Sequence, residues 1–351
     1  MKVLIINTVP FIRDGISSVI MNHYRLLNDK IDFDILVNTK IVEAFEEEIL
    51  LGGSRIFFVK GRKKHPIHYF FFLKKILRNK EYDVIHIHGN STLMSLELFA
   101  IKNKRKVIVH GHNVATSYPF LHAFLRPYFK RNFSIGLAPT KEAGEFLFRD
   151  RNHRILTNGI DLEKYAYHPE AREKIRQQLG IIDEKVIICV GNLNEQKHQE
   201  LLILMLPKLL EREKYTILLV GEGGKRERLM KLAAEQKVAD SVIFLGSVSN
   251  VQDYYSAADI FALPTHFESF GMVAVEAQAN GLPCIVSDCV PRMVKQVEDF
   301  HFVSNKDVST WIDLISTAER THDVRDLSVF DMKKISMELF QIYQEVSLKD
   351  D

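Results

Sequence analysis

Val186-Ile187-Ile188-Cys189-Val190-Gly191 is an unbroken apolar run that stops at a glycine, and the polar stretch Asn192-Leu193-Asn194-Glu195-Gln196-Lys197 follows it. A strand with one wet face alternates apolar and polar residues, whereas one buried on both faces does not, so this run reads as a strand of a parallel sheet. The same layout recurs in both directions. Towards the N-terminus, Val3–Asn7, Phe33–Val37, Ile56–Val59, Val84–Ile87, Val107–His110 and Ile135–Ala138 read as strands. Towards the C-terminus come Thr216–Val220, Val242–Leu245, Ile260–Leu263 and Pro283–Ser287. Helical stretches separate them, among them Ile16–Leu27, Glu170–Leu179 and Ser328–Val346. Strands alternating with helices build βαβ units. Two such series predict an α/β protein with two doubly wound, Rossmann-like domains facing a central cleft, where ligands of open α/β sheets bind.

The chain has 351 residues, which at roughly 150 per domain also points to about two. The expected division is 1–164, 165–330 and a C-terminal helix, 331–351, packing back toward the first domain. Hydrophobic residues make up 46% and charged residues 26%, which excludes a disordered or collagen-like chain. No apolar run approaches the ~18 residues of a membrane span. The start, Met1-Lys2 and then Val3-Leu4-Ile5-Ile6, is too short for a signal peptide, so a cytoplasmic location is expected. Three cysteines without zinc-type spacing read as free thiols. Net charge is +2, but residues 1–164 carry +10 and the remainder −8, which predicts different partners for the two halves.

The strand ends hold the candidate site residues. Phe267-Glu268-Ser269-Phe270-Gly271-Met272-Val273-Ala274-Val275-Glu276-Ala277 leaves the Ile260–Pro264 strand and enters an apolar helix. Free N–H groups at Phe270, Gly271 and Met272 form a helix start suited to phosphate. Taken alone, Glu268 is equally a carboxylate favoured by the helix dipole, and Glu276 equally a solvated residue. Yet Glu276 lies between Val275 and Ala277 in an apolar helix, where a buried carboxylate needs a hydroxyl partner. Lys197, near the next helix start, is either a phosphate-holding point charge or a solvated loop lysine. His86, His88, His110 and His112 end two neighbouring strands as candidate metal ligands. Read as alternating across the sheet, the members of each pair point to opposite faces, which favours hydrogen bonding over chelation. Asp32-Phe33-Asp34 leads into a strand and reads as solvated. Val220-Gly221-Glu222-Gly223-Gly224-Lys225 is neither a P-loop nor a dinucleotide fingerprint.

With these residues in view, the chain resembles, almost end to end, the retaining, metal-independent glycosyltransferases of family 4 (group 1), which have the GT-B fold, and within them the bacterial capsule and exopolysaccharide branch. Glu268 and Glu276 match the E-x7-E motif, and His112-Asn113 the position of the catalytic-cleft histidine. Asn158-Gly159-Ile160-Asp161 matches N-G-[IV]-D, and Lys197 the lysine of the G-R-x-x-x-x-K loop. Ala257–Phe261 and Gly281–Val286 match the flanking segments. The resemblance implies transfer of a hexose-type sugar from a nucleotide sugar, favoured as UDP-linked, to a hydroxyl, with no cofactor and no metal. It further implies that Lys197 neutralises the donor diphosphate, that the N–H groups of Phe270–Met272 face the donor, that Glu268 holds sugar hydroxyls and Glu276 the ribose, that His112 binds the sugar near the reacting carbon, and that Gly15 lies against the diphosphate. Two positions depart from the pattern. Asn192 stands where the family has arginine, and the first loop, Arg13-Asp14-Gly15-Ile16, has one glycine in place of two. Arg13 is the candidate to supply the missing charge.

Family members bind the acceptor in the N-terminal half, the basic one here. Lys60-Gly61-Arg62-Lys63-Lys64, Tyr69–Lys75, Lys102–Lys106 and Tyr118–Arg131 interleave cations with aromatics. Such stretches suit an anionic membrane surface, which predicts peripheral docking at the inner face of the cell membrane onto a lipid-linked oligosaccharide. No nucleic-acid recognition motif accompanies them, and no nucleic-acid partner is expected. A nucleotide-sugar 2-epimerase and a non-catalytic nucleotide-sugar binder are the alternatives, the second favoured by Asn192.

Overall fold

The computed structural model describes residues 1–12, 15–59, 61–320 and 326–348. The chain divides into two compact units, 1–159 with 331–351, and 160–330. The first boundary thus lies a few residues before the Lys164 expected from sequence, and the C-terminal helix belongs to the first unit.

Unit 1 runs β1 (Lys2–Asn7), α1 (Gly15–Leu27), β2 (Asp32–Val37), α2 (Glu43–Leu51), β3 (Arg55–Phe58), α3 (Pro66–Asn79), β4 (Val84–Gly89), α4 (Ser95–Ala100), β5 (Val107–Gly111), α5 (Pro119–Phe129), β6 (Ile135–Ala138), α6 (Lys141–Phe148) and β7 (Arg154–Ile155). Its seven strands are all parallel, in the order β3-β2-β1-β4-β5-β6-β7. Unit 2 runs α7 (Pro169–Leu179), β8 (Lys185–Val190), α8 (Glu200–Leu210), β9 (Tyr215–Val220), α9 (Arg226–Glu235), β10 (Val242–Gly246), α10 (Val251–Ala257), β11 (Ile260–Leu263), α11 (Met272–Ala279), β12 (Cys284–Ser287), β13 (Phe300–Val303) and α12 (Val308–Thr317). Its six parallel strands follow the order β10-β9-β8-β11-β12-β13. The helix α13 (Met332–Ser347) completes unit 1.

The unbroken apolar runs now have a cause. Alternate residues of one strand enter two different cores. Val3 and Ile5 pack with α1 and α13, whereas Leu4 and Ile6 pack with α3 and α4 on the other face. In unit 2, Ile187 and Cys189 face α8 and α12, while Val186 and Ile188 face α11. Chain order reverses between β1 and β4 and again between β8 and β11, so each sheet has one switch point at the carboxyl ends of its central strands.

Two strands escaped the sequence reading. Arg154–Ile155 is a two-residue, exposed edge strand, and Phe300–Val303 is an edge strand broken by His301, so neither forms an apolar run. Asp34 is a correction. It is wholly buried, not solvated, and accepts from Lys80 Nζ (2.9 Å), Tyr82 Oη (2.7 Å) and Arg55 Nε (3.2 Å). Its neighbour Asp32 is exposed.

Helix α13 is held by its apolar stripe, Ile335, Leu339, Ile342, Tyr343 and Val346, and by two buried hydrogen bonds, one to β4 and one to α1. Tyr343 Oη lies 2.7 Å from His86 Nδ1, and Ser336 Oγ 3.0 Å from His23 Nδ1. Tyr343→Phe leaves the buried His86 nitrogen without its partner and should cost about 1–3 kcal/mol in urea denaturation. Tyr118→Phe, at an exposed ring, should change stability by less than about 0.5 kcal/mol. Equal effects of the two substitutions would contradict the assignment.

Candidate active site

The loops after β8 and β11 meet at the switch point of unit 2. The Gln196 side-chain amide donates to the Phe267 carbonyl (2.8 Å). The main-chain carbonyl of Gln196 accepts from the His266 N–H (2.7 Å) and the Thr265 hydroxyl (2.9 Å). This stitching sets Lys197 Nζ 2.6 Å from Glu268 Oε2, with both side chains mostly buried. Gly191, at φ +149°, opens the path for that lysine, since a Cβ there would stand 2.8 Å from Lys197 Cε. The two residues therefore act as one unit. The carboxylate accepts a hydrogen bond from one N–H of the lysine and fixes the ammonium, whose remaining donors stay available to an anion.

Three residues after Glu268, Gly271 begins α11 in a left-handed conformation (φ 95°). The N–H groups of Phe270, Gly271 and Met272 have no acceptor among the described residues, so they form a cluster of free donors at a helix start. The Phe270 ring itself is buried, packed edge-on against Phe330 with centroids 5.9 Å apart, leaving its backbone as the part that can meet a ligand. Glu276 lies one helical turn further on and is buried, not on a solvated face. Burial pushes its carboxyl up, opposed by a hydrogen bond from Tyr255 Oη (2.9 Å) and by Tyr165, Lys164 and Lys197. Tyr255 was not singled out in the sequence. Its only signal there is an aromatic at a core position of α10, which burial alone explains. Asn192 is exposed, and its carbonyl accepts from Gln199 Nε2 (3.1 Å).

In unit 1, Gly15 opens α1 with space around its Cα, and Arg13 lies outside the described residues. His112 follows β5, nearly buried. Its N–H donates to the Gly89 carbonyl (3.2 Å), and its Nε2 lies 2.9 Å from His88 Nδ1. The reading that His86 and His88 point to opposite faces is wrong, as it is for His110 and His112. Residues two apart on a strand share a face, and the four rings form a stacked column with centroids 4.0–5.4 Å apart. Candidate ligand nitrogens of His86, His88 and His110 all lie within 4.8 Å of one another. Three zinc bonds of about 2.0–2.1 Å would set them about 3.3 Å apart, whereas Nδ1 of His86 and of His88 are engaged by Tyr343 and His112. The hydrogen-bonding role expected from sequence is present for three of the four. Both His110 nitrogens are buried without a partner among the described residues.

Residues 13–164 match the family described as Glycosyltransferase Family 4, and residues 171–326 the family described as Glycosyl transferases group 1. The two matches lie end to end over most of the chain, which belongs to these glycosyltransferases. EpsF of Bacillus subtilis (strain 168) is 29% identical over 300 residues, covering 80% of this chain and 78% of EpsF. A GDP-mannose-dependent phosphatidylinositol monomannoside mannosyltransferase of Mycolicibacterium smegmatis is 32% identical over 175 residues, and the chain spans 45% of its length. Among solved structures, Anabaena HepE in complex with UDP superposes with a TM-score of 0.79 at 18% identity, covering 98% of this chain and 100% of HepE. WaaG, a glycosyltransferase involved in lipopolysaccharide biosynthesis, superposes with a TM-score of 0.69 at 16% identity, covering 99% and 98%. At such identities the likeness establishes the fold, which is GT-B.

The histidine column has a pH signature. Burial holds the His23 and His112 imidazoles down at about 3, and burial with neighbouring imidazoles holds His86, His88 and His110 well below 6.5. Unfolded, all five titrate near 6.5, so below that pH the unfolded chain binds protons that the folded chain refuses. Stability is therefore complete above about pH 6.5. It falls on acidification by up to roughly 1.4 kcal/mol per pH unit for each histidine, and His23 and His112 contribute until about pH 3. The urea midpoint should drop between about pH 7.5 and about pH 5.5. An unchanged midpoint would contradict neutral, buried imidazoles.

Proposed function

We propose that this glycosyltransferase moves a hexose-type sugar from a UDP-linked donor to a hydroxyl of a lipid-linked saccharide during surface polysaccharide synthesis, with retention of anomeric configuration and no metal at the transfer step. The observation that carries the reading is the Lys197–Glu268 pair, set three residues before a helix start with free N–H groups at the switch point of unit 2. In transfer, the bond between the anomeric carbon and the β-phosphate oxygen breaks and negative charge gathers on the leaving diphosphate. Lys197 and the N–H groups of Phe270–Met272 stabilise that charge from fixed positions, which is where electrostatic catalysis is most effective. The acceptor oxygen bonds to the carbon from the face the diphosphate leaves, and its proton passes to the departing phosphate. Glu268 holds sugar hydroxyls, Glu276 the ribose and His112 the sugar near the reacting carbon, with Gly15 against the diphosphate. Uridine is favoured because HepE, of the same fold, was solved with UDP. WaaG, a glycosyltransferase of the same fold involved in lipopolysaccharide biosynthesis, supports the polysaccharide setting. Unit 1, the basic one, takes the acceptor at the inner face of the cell membrane.

A binder lacking catalysis is the reading that Asn192 favours, and turnover separates the two. UDP-sugars should raise the melting temperature of the wild type by mass action. Lys197→Ala should weaken donor binding by roughly tenfold to a hundredfold, as expected for loss of one to two charge-assisted contacts. Slow donor hydrolysis should occur in the wild type and vanish in Glu268→Ala. Donor binding without any hydrolysis or transfer would establish the binder.

A further inference from the structure

Among the described residues, three that are not glycine have a positive φ: Arg149 (51°), His198 (51°) and Lys237 (58°). Arg149 and Lys237 stand at the ends of α6 and α9, where a positive φ is an ordinary way to close a helix. His198 closes no helix. It lies two residues ahead of α8 and directly after Lys197. Glycine would take this backbone at no steric cost, whereas a side chain there is strained. Strain of this kind persists only where the surroundings hold it, and it gathers at functional sites.

What holds it is a second histidine. The His198 ring stacks on that of His266, with centroids 4.0 Å apart and planes 25° from parallel. His266 belongs to the other loop of the site, two residues before Glu268. The stack therefore ties the residue after the lysine to the loop that carries the glutamate. It stands beside the hydrogen bond from the His266 N–H to the Gln196 carbonyl (2.7 Å), which joins the same two loops. Core packing does not explain it, because His198 is only half-buried and His266 is exposed. Burial and the His266 imidazole hold the His198 ring below the ordinary histidine value, so it stacks uncharged at neutral pH. A ring pair fixes both separation and tilt, and the 2.6 Å contact between Lys197 Nζ and Glu268 Oε2 requires both.

We propose that His198 and His266 are positioning residues for the donor site: their stack clamps the loops after β8 and β11 so that Lys197 and Glu268 are set for the diphosphate before it arrives. The strained backbone at His198 is the cost of that clamp, which a glycine would leave without its ring. The inference rests on the reading of unit 2 as the donor-diphosphate site.

Thermal melts and calorimetric titration with UDP test it. His198→Gly relieves the strained φ, so it should melt at or above the wild-type temperature, yet bind UDP roughly tenfold more weakly. A residue with a merely structural role would lower the melting temperature as well, and that result overturns the proposal. His266→Ala should weaken UDP binding to a similar extent. His266→Phe keeps a stacking ring and loses both nitrogens, and it should recover most of that loss. In a Lys197→Ala background, His198→Gly should cost less than about threefold more, because the group it positions is gone. Wild-type affinity in His198→Gly overturns the proposal, as does a loss undiminished by Lys197→Ala. Equal losses in His266→Ala and His266→Phe also overturn it, and that pair decides should His198→Gly fail to fold. Wild type that does not bind UDP sinks the donor reading and this inference with it, whereas the other contrary results remove the clamp alone.

Discussion

The pair between Lys197 and Glu268 joins residues 71 apart in sequence, and the geometry of unit 2's site depends on it. Neither side chain would rest comfortably there alone, because a mostly buried charge needs its counter-charge. The pair forms because chain order reverses between β8 and β11, so the loops leaving these adjacent strands run to opposite sides and open a gap at their ends. Gln196 and Thr265 bridge that gap, and Gly191 gives way to the lysine stem. An anion entering here finds a cation already fixed and N–H groups already free, so little reorganisation remains for the moment of binding.

Unit 1 solves a different problem. Its switch point carries imidazoles where unit 2 carries a charged pair. Burial keeps them neutral, and a neutral imidazole both donates and accepts. The contact between His88 Nδ1 and His112 Nε2 therefore requires one ring to hold the proton and the other to receive it, which couples the tautomer of His112 to that of His88. Helix α13 arrives from the far end of the chain to partner His86 and His23. The last residues of the sequence thus help set the environment of a site built by β4 and β5.

Much of this was legible in the sequence. Runs such as Val186–Val190 have no polar face to hide, and that alone implies two covering layers and parallel strands. Glu268 and Lys197 were found because both follow such runs. What stayed hidden was what local pattern does not encode. Asp34 looked solvated, since its partners Arg55, Lys80 and Tyr82 come from later elements. Tyr255 looked like core, since its hydroxyl meets Glu276 only after folding. The histidines were found but misplaced across the sheet, an error of strand periodicity. Edge strands β7 and β13 lack the apolar run because both residues of β7 are exposed and the middle of β13 is only partly buried.

The central claim is that unit 2 grips a nucleoside diphosphate sugar by its diphosphate. A crystal structure of the protein with a UDP-sugar tests it most directly. The account predicts diphosphate oxygens within hydrogen-bond reach of Lys197 Nζ and of the N–H groups at Phe270–Met272, with a ribose hydroxyl on Glu276. A diphosphate bound elsewhere, with the Lys197–Glu268 pair untouched and the α11 start open to water, would contradict it.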